Sequence, residues 1–113
     1  MSDPVIDPVV FSEMQELMEE ALEEFIVTYL ENSPKLLQEI ARSLPAAELE
    51  SIYHNAHQLK GGSGSIGAMQ VFQIAKQLEE KARAGQKDGL DGLYSELQAA
   101  YDRVESELRA HIT

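Results

Sequence analysis

Apolar residues recur every three or four positions along nearly the whole chain, and no run alternates β-branched or aromatic residues with polar ones between turn signals. That period is the helical one, so the sequence predicts helices and no strand. Asp7-Pro8 reads as an N-cap followed by proline in the first turn, where a missing N–H is harmless and the fixed φ suits a helix. Val10, Met14, Leu17 and Ala21 then share one stripe of a short first helix. A second stripe runs through Leu22, Phe25, Ile26, Tyr29, Leu36, Leu37, Ile40 and Leu44. Pro34 falls inside it, yet the phase holds across Ser33-Pro34, which predicts one kinked helix rather than two. Neither Gly nor Pro marks the break between the first and second helices, so its place is left open.

Leu44-Pro45 is expected to begin a third helix, with Leu49, Ile52, Tyr53, Ala56, Leu59 and Ile66 inward and Gly67 as its latest end. A fourth is expected from about Ala68, with Ala68, Phe72, Ala75, Leu78 and Ala82 inward. It should stop at Ala84-Gly85, because glycine takes the left-handed C-terminal position without a Cβ penalty. A short loop over 85–89 leads into a fifth helix, whose stripe of Leu90, Leu93, Leu97, Tyr101, Val104 and Leu108 is the cleanest in the chain. Short connections favour antiparallel neighbours. The expected fold is therefore all-α, an antiparallel up-and-down four-helix bundle with an additional short N-terminal helix. A chain of 113 residues suits one domain with one modest core. Residues 1–7, acidic and proline-containing, are expected to be flexible, and Met1-Ser2-Asp3 reads as the natural start of a free-standing protein.

Composition narrows the function. Apolar residues at 43% and charged residues at 26% are those of a soluble globular chain, and no apolar run is long enough for a secretory or spanning segment. A cytoplasmic protein without a membrane partner is expected. The absence of cysteine excludes disulfides and thiolate metal sites. A net charge of −11 argues against nucleic acid, whose phosphates are bound by clustered Lys and Arg. The charge is unevenly placed: no basic residue precedes Lys35, whereas over 57–87 Lys60, Lys76, Lys81, Arg83 and Lys87 outnumber Glu79 and Glu80. Such runs are usually solvated helix faces. What stands out is a basic neighbourhood around one histidine.

That histidine lies in His54-Asn55-Ala56-His57-Gln58-Leu59-Lys60-Gly61-Gly62-Ser63-Gly64-Ser65-Ile66-Gly67. Each glycine inside a helix costs roughly 1 kcal/mol relative to alanine, so either the third helix frays here into a loop or the bareness serves something. If the helix continues, His57, Lys60, Gly61 and Gly64 share one face, opposite Leu59 and Ile66. An imidazole would then stand beside a cation with bare backbone around it, a suitable place for a bulky anion delivered by another protein. Gly62-Ser63-Gly64-Ser65-Ile66-Gly67 formally matches a dinucleotide fingerprint, but no strand precedes it, and no Gly-Lys-Ser/Thr of a P-loop follows.

Ala56-His57-Gln58-Leu59-Lys60-Gly61, followed by Ser63, Gly67-Ala68 and Leu78-Glu79, resembles the signature of the histidine-phosphotransfer (HPt) family. The Lys-Gly-Gly stretch also resembles the phosphotransfer domain of chemotaxis kinases. The resemblance implies that His57 takes a phosphoryl group from a receiver-domain aspartate or a (hybrid) sensor histidine kinase and passes it to a response-regulator aspartate. It puts the family's lysine on Lys60, its small access position on Gly61, and its carboxylate or amide on Glu79, where some members carry glutamine. Gly64 and Gln58 are expected to share the partner-access surface. Glu79 falls on the same side of its helix as Phe72, Ala75 and Ala82, an odd place for a carboxylate without a partner. The expectation is that it accepts a hydrogen bond from Nδ1–H of His57, leaving Nε2 as the nucleophile, while Lys60 offsets phosphoryl charge. Such a protein would be a monomeric phosphocarrier without a nucleotide site or cofactor, any Mg²⁺ residing on the receiver. The alternative is an acidic helical adaptor that is never phosphorylated. A metal site on His54, His57 and Glu50 is a weaker reading, and His54 and His111 are expected to be ordinary surface histidines.

Overall fold

The computed structural model describes residues 4–112. Among them are five helices and no strand: α1 (Pro8–Met18), α2 (Ala21–Ser43), α3 (Leu49–Ile66), α4 (Met69–Arg83) and α5 (Leu90–Ile112). α2 packs on α3, α3 on α4, α4 on α5 and α5 back on α2, so the long helices close a ring around one core; α1 lies against α2 and α3. Ile26, Ile40, Ile52, Leu59, Leu78, Leu97 and Leu108 are sealed from solvent at its centre. This is the bundle that the apolar period predicts.

The N-terminal end starts as expected, the Asp7 carboxylate accepting from the N–H groups of Val9 (2.9 Å) and Val10 (3.3 Å). The stripe of α1 differs from its prediction. Leu17 is 82% exposed, and Ala21 faces solvent; the side chains that meet the core are Phe11, Met14 and Met18. Ala21 leaves the stripe at the break itself: Glu19 takes φ 48° and ψ −115°, a positive-φ conformation that no glycine announced, and it resets the helical phase before Ala21. Part of the N-terminal stretch makes tertiary contacts. Val5 and Ile6 pack against the core, and the N–H of Asp7 donates to the carbonyl of Gly67 at 2.8 Å, so this stretch is tied to the end of α3; Met1-Ser2-Asp3 lies outside the described residues.

α2 runs unbroken through Pro34, as the continuous phase required. The third helix starts later than expected. Leu44 and Pro45 belong to a turn in which Ala47 adopts φ 48°. Arg42 holds this turn with ion pairs to Glu39 (3.1 Å) and Glu48 (3.2 Å), and Ser43 Oγ donates to Ser51 Oγ at 2.8 Å. The proline serves the turn, and α3 begins only at Leu49.

Gly61, Gly62 and Gly64 lie within α3, which ends at Gly67 in the left-handed conformation (φ 86°). Two of them are packing features. A Cβ on Gly62 would come 3.3 Å from the Tyr29 ring, and one on Gly64 would come 3.0 Å from Phe72. Without those methyl groups α2 and α4 both approach α3 closely. Buried Tyr29 then hydrogen-bonds Ser63 across 2.7 Å, locking α2 to α3, and burial pushes its phenol up to about 12. On α4 the buried apolar positions are Val71, Ala75, Leu78 and Ala82, while Phe72 is half-buried on the seam with α3; Ala68, the N-cap, is buried as expected. The left-handed Gly85 follows the last turn of α4 as predicted.

Gly67 should tolerate no side chain. Its φ of 86° disfavours L-residues, and a Cβ would lie 3.1 Å from Val10 Cβ and 3.2 Å from the Asp7 carbonyl oxygen. Gly67→Ala is expected to lower unfolding free energy by about 2 kcal/mol, measured by urea titration; Gly61→Ala, with open space at that position, is expected to lose no stability.

Candidate functional site

α3 and α4 meet along a seam whose outer edge carries the only polar cluster bridging them with a buried charge among the described residues. Glu79 is 3% exposed, sitting one residue after Leu78 on the inward face of α4. A carboxylate there must be neutralised or stripped of its charge. Two donors from one turn of α3 reach it. His57 Nδ1 lies 2.8 Å from Oε2, and the Lys60 ammonium lies 2.6 Å from Oε1 as an ion pair. Burial pushes the Glu79 carboxyl up, but hydrogen bonding and charge from Lys60 and then His57 outweigh it, and the net displacement is below the ordinary 4.5.

That direction fixes the tautomer. A carboxylate ionised at neutral pH can only accept, so Nδ1 carries the hydrogen and donates it. In the neutral ring the lone pair then belongs to Nε2. The His57 side chain is 58% exposed, and among the described residues Nε2 has no hydrogen-bond partner. Gly61, one turn further along, would leave even an added Cβ in open space, and Gln58 is exposed. The arrangement is an oriented nucleophilic nitrogen facing solvent beside an ammonium group and an unobstructed backbone. Next to it, between α2 and α3, a cleft of about 450 Å³ is lined by Phe25, Thr28, Asn32, Lys35, Leu36 and Gln58.

His57, Lys60, Glu79, Gly61 and Gln58 thus come together as the sequence suggested. Gly64 is half-buried, and a Cβ there would lie 3.0 Å from the Phe72 ring. Lys60 is 23% exposed and folded onto Glu79. His54 is exposed at 62% and 3.7 Å from Glu50. The described residues contain no group of three His, Asp or Glu side chains placed to hold a metal ion. His111 is exposed but lies edge-on to the Phe11 ring at 4.9 Å. Sequence reasoning gives Tyr53 no role at the site beyond its inward position; the ring is half-buried against the core. It lies nearly parallel to the His57 imidazole, at 15° and 6.2 Å between centroids, and the Arg83 guanidinium sits over it at 5.9 Å. The spacing of four between Tyr53 and His57 carried that signal, since such pairs meet on a helix surface.

Residues 24–107 match the Hpt domain family. Histidine-containing phosphotransfer protein 4 of Arabidopsis thaliana is 28% identical over 104 residues, covering 87% of this chain and 82% of that relative. Histidine-containing phosphotransfer protein 2 of the same plant is 24% identical over 106 residues, covering 88% and 68%. The crystal structure of histidine-containing phosphotransfer protein B from Pseudomonas aeruginosa superimposes with a TM-score of 0.93 at 28% identity, over 98% of this chain and 96% of that one. A maize histidine-containing phosphotransfer protein shares the fold, with a TM-score of 0.80 at 20% identity over 96% and 88%.

The Glu79 cluster should leave a pH signature in stability. A carboxyl whose folded value lies below 4.5 contributes stability that is fully present above that value and lost as pH falls through the folded one. Urea titrations of the unaltered protein and Glu79→Gln are therefore expected to differ by a constant amount from neutral pH down to about 4.5, and the unaltered protein should then lose ground to the variant on further acidification. A difference that stays flat to pH ~3, well below the ordinary carboxylate range, would contradict the ionised assignment.

Proposed function

The chain belongs to the Hpt domain family, and from that membership we propose that His57 is the residue that carries its phosphoryl group. The family's role is histidine phosphotransfer in phosphorelays, between histidine kinases and response regulators. The observation that carries the assignment is the hydrogen bond from Nδ1 of His57 to Glu79, which turns the Nε2 lone pair outward on an exposed ring.

Transfer follows from this geometry. Nε2 attacks the phosphorus of a receiver's aspartyl phosphate; the new N–P bond forms as the P–O bond breaks, and its electron pair leaves on the aspartate carboxylate. The ring becomes positively charged as it bonds phosphorus, and Glu79, 2.8 Å from Nδ1, stabilises that charge while holding the Nδ1 proton. In the reverse direction the same proton lets His57 leave phosphorus as a neutral imidazole, with the pair returning to Nε2. Lys60 balances Glu79 at rest and turns its flexible ammonium toward the phosphoryl oxygens once they arrive. Gly61 and Gln58 leave the approach clear. The cleft along Phe25, Leu36 and Gln58 offers the receiver an apolar footing next to the reacting nitrogen. We assign the chain no nucleotide site and no cofactor of its own. Mg²⁺ is assigned to the receiver, and the working form to a cytoplasmic, monomeric, single-domain phosphocarrier.

Incubation with phosphorylated receiver domains is expected to label this protein with an acid-labile, base-stable phosphate. His57→Gln should abolish the label, His54→Gln should leave it intact, and Glu79→Ala should slow transfer by about 100-fold, the usual contribution of an oriented proton-holding group. Equal loss in both histidine variants would overturn the assignment.

A further inference from the structure

The Glu79 hydrogen bond holds one edge of the His57 ring, but an imidazole has a broad, two-fold torsion about its Cβ–Cγ bond, and this ring is more than half exposed. A bond at a single nitrogen leaves the ring plane free to rock about that edge. In-line attack needs the plane fixed, because the Nε2 lone pair lies in it and must point at phosphorus.

The face of the ring has a second constraint that the family motif does not supply. Tyr53, one helical turn earlier on α3, presents its ring to His57 at 15° and 6.2 Å, within the range of offset aromatic stacking. Tyr53 is itself held. It is half-buried, Arg83 covers it from α4 at 5.9 Å, and His54 meets it edge-on at 5.2 Å. Arg83 lies one turn beyond Glu79 on α4. α4 therefore controls the imidazole by two routes, directly at its edge through Glu79 and indirectly at its face through Arg83 and Tyr53. We propose that Tyr53 is a positioning residue that sets the plane of the His57 imidazole and with it the direction of phosphoryl attack.

The proposal rests on His57 being the phosphoacceptor, and the experiment separates the two. In the unaltered protein, two-dimensional NMR should show cross-peaks between the ring protons of Tyr53 and His57, with His57 as one sharp Nδ1–H tautomer; absence of the cross-peaks overturns the proposal without any variant. Transfer from a phosphorylated receiver is then measured as a function of receiver concentration. Tyr53→Phe keeps a ring and should behave as the unaltered protein. Tyr53→Leu should lower the saturating rate about five-fold, the size expected from one lost aromatic pair, with little change in the receiver concentration giving half that rate. Its His57 nitrogen signals should broaden or divide between tautomers, while its unfolding midpoint stays within the range of a surface change. An unchanged rate and unchanged nitrogen signals in Tyr53→Leu would overturn the idea, as would equal loss in Tyr53→Phe. Failure of the unaltered protein to accept phosphate on His57 would sink the phosphoacceptor assignment while the NMR arm still reads the geometry.

Discussion

One buried negative charge organises this site. Glu79 is buried on the inward face of α4, and an ionised carboxylate in such a place is tolerated only when donors surround it. Here both donors come from α3, separated by a single helical turn. The electrostatic demand of Glu79 therefore fixes how α3 and α4 must lie relative to each other, and it fixes the protonation pattern of an imidazole at the surface. Structure and chemistry are coupled through the same pair of contacts.

The glycines of α3 make that geometry reachable. A helix that carries Gly61, Gly62 and Gly64 gives up local propensity, and two of the three recover it through close packing, Gly62 against Tyr29 and Gly64 against Phe72. The buried Tyr29–Ser63 hydrogen bond then links α2 to the same segment. Only Gly61 is left facing open space. A run that reads as one flexible stretch is, in three dimensions, three glycines with separate surroundings on one rigid helix.

Much of this was legible in the residues themselves. The apolar period yielded the five helices and the uninterrupted course through Pro34, because burial of a stripe is a demand that tertiary packing rarely overrides. The pairing of His57 with Glu79 was legible too, since a carboxylate in register with Ala75 and Ala82 needs a partner. The misses share a cause. The phase after α1 and the start of α3 depend on Glu19 and Ala47 adopting positive φ, a conformation not signalled by residue type. The contact of Gly64 with Phe72 depends on how α3 crosses α4, which a helical wheel of one element cannot supply. Tyr53 was placed correctly on its helix, but position along a stripe does not reveal that its ring also meets His57 at the rim.

The outward nitrogen of His57 has a further implication for traffic. It projects from α3 beside its bond to α4, and the cleft between α2 and α3 is lined by the next residue along, Gln58. If His57 carries the phosphoryl group as proposed, a protein bringing phosphate and a protein removing it both have to reach this one nitrogen. On that reading two partners cannot be served at once, so signals pass in turn, and an abundant partner of either kind becomes a competitor for the other. Queueing of this sort would follow from the placement of one side chain.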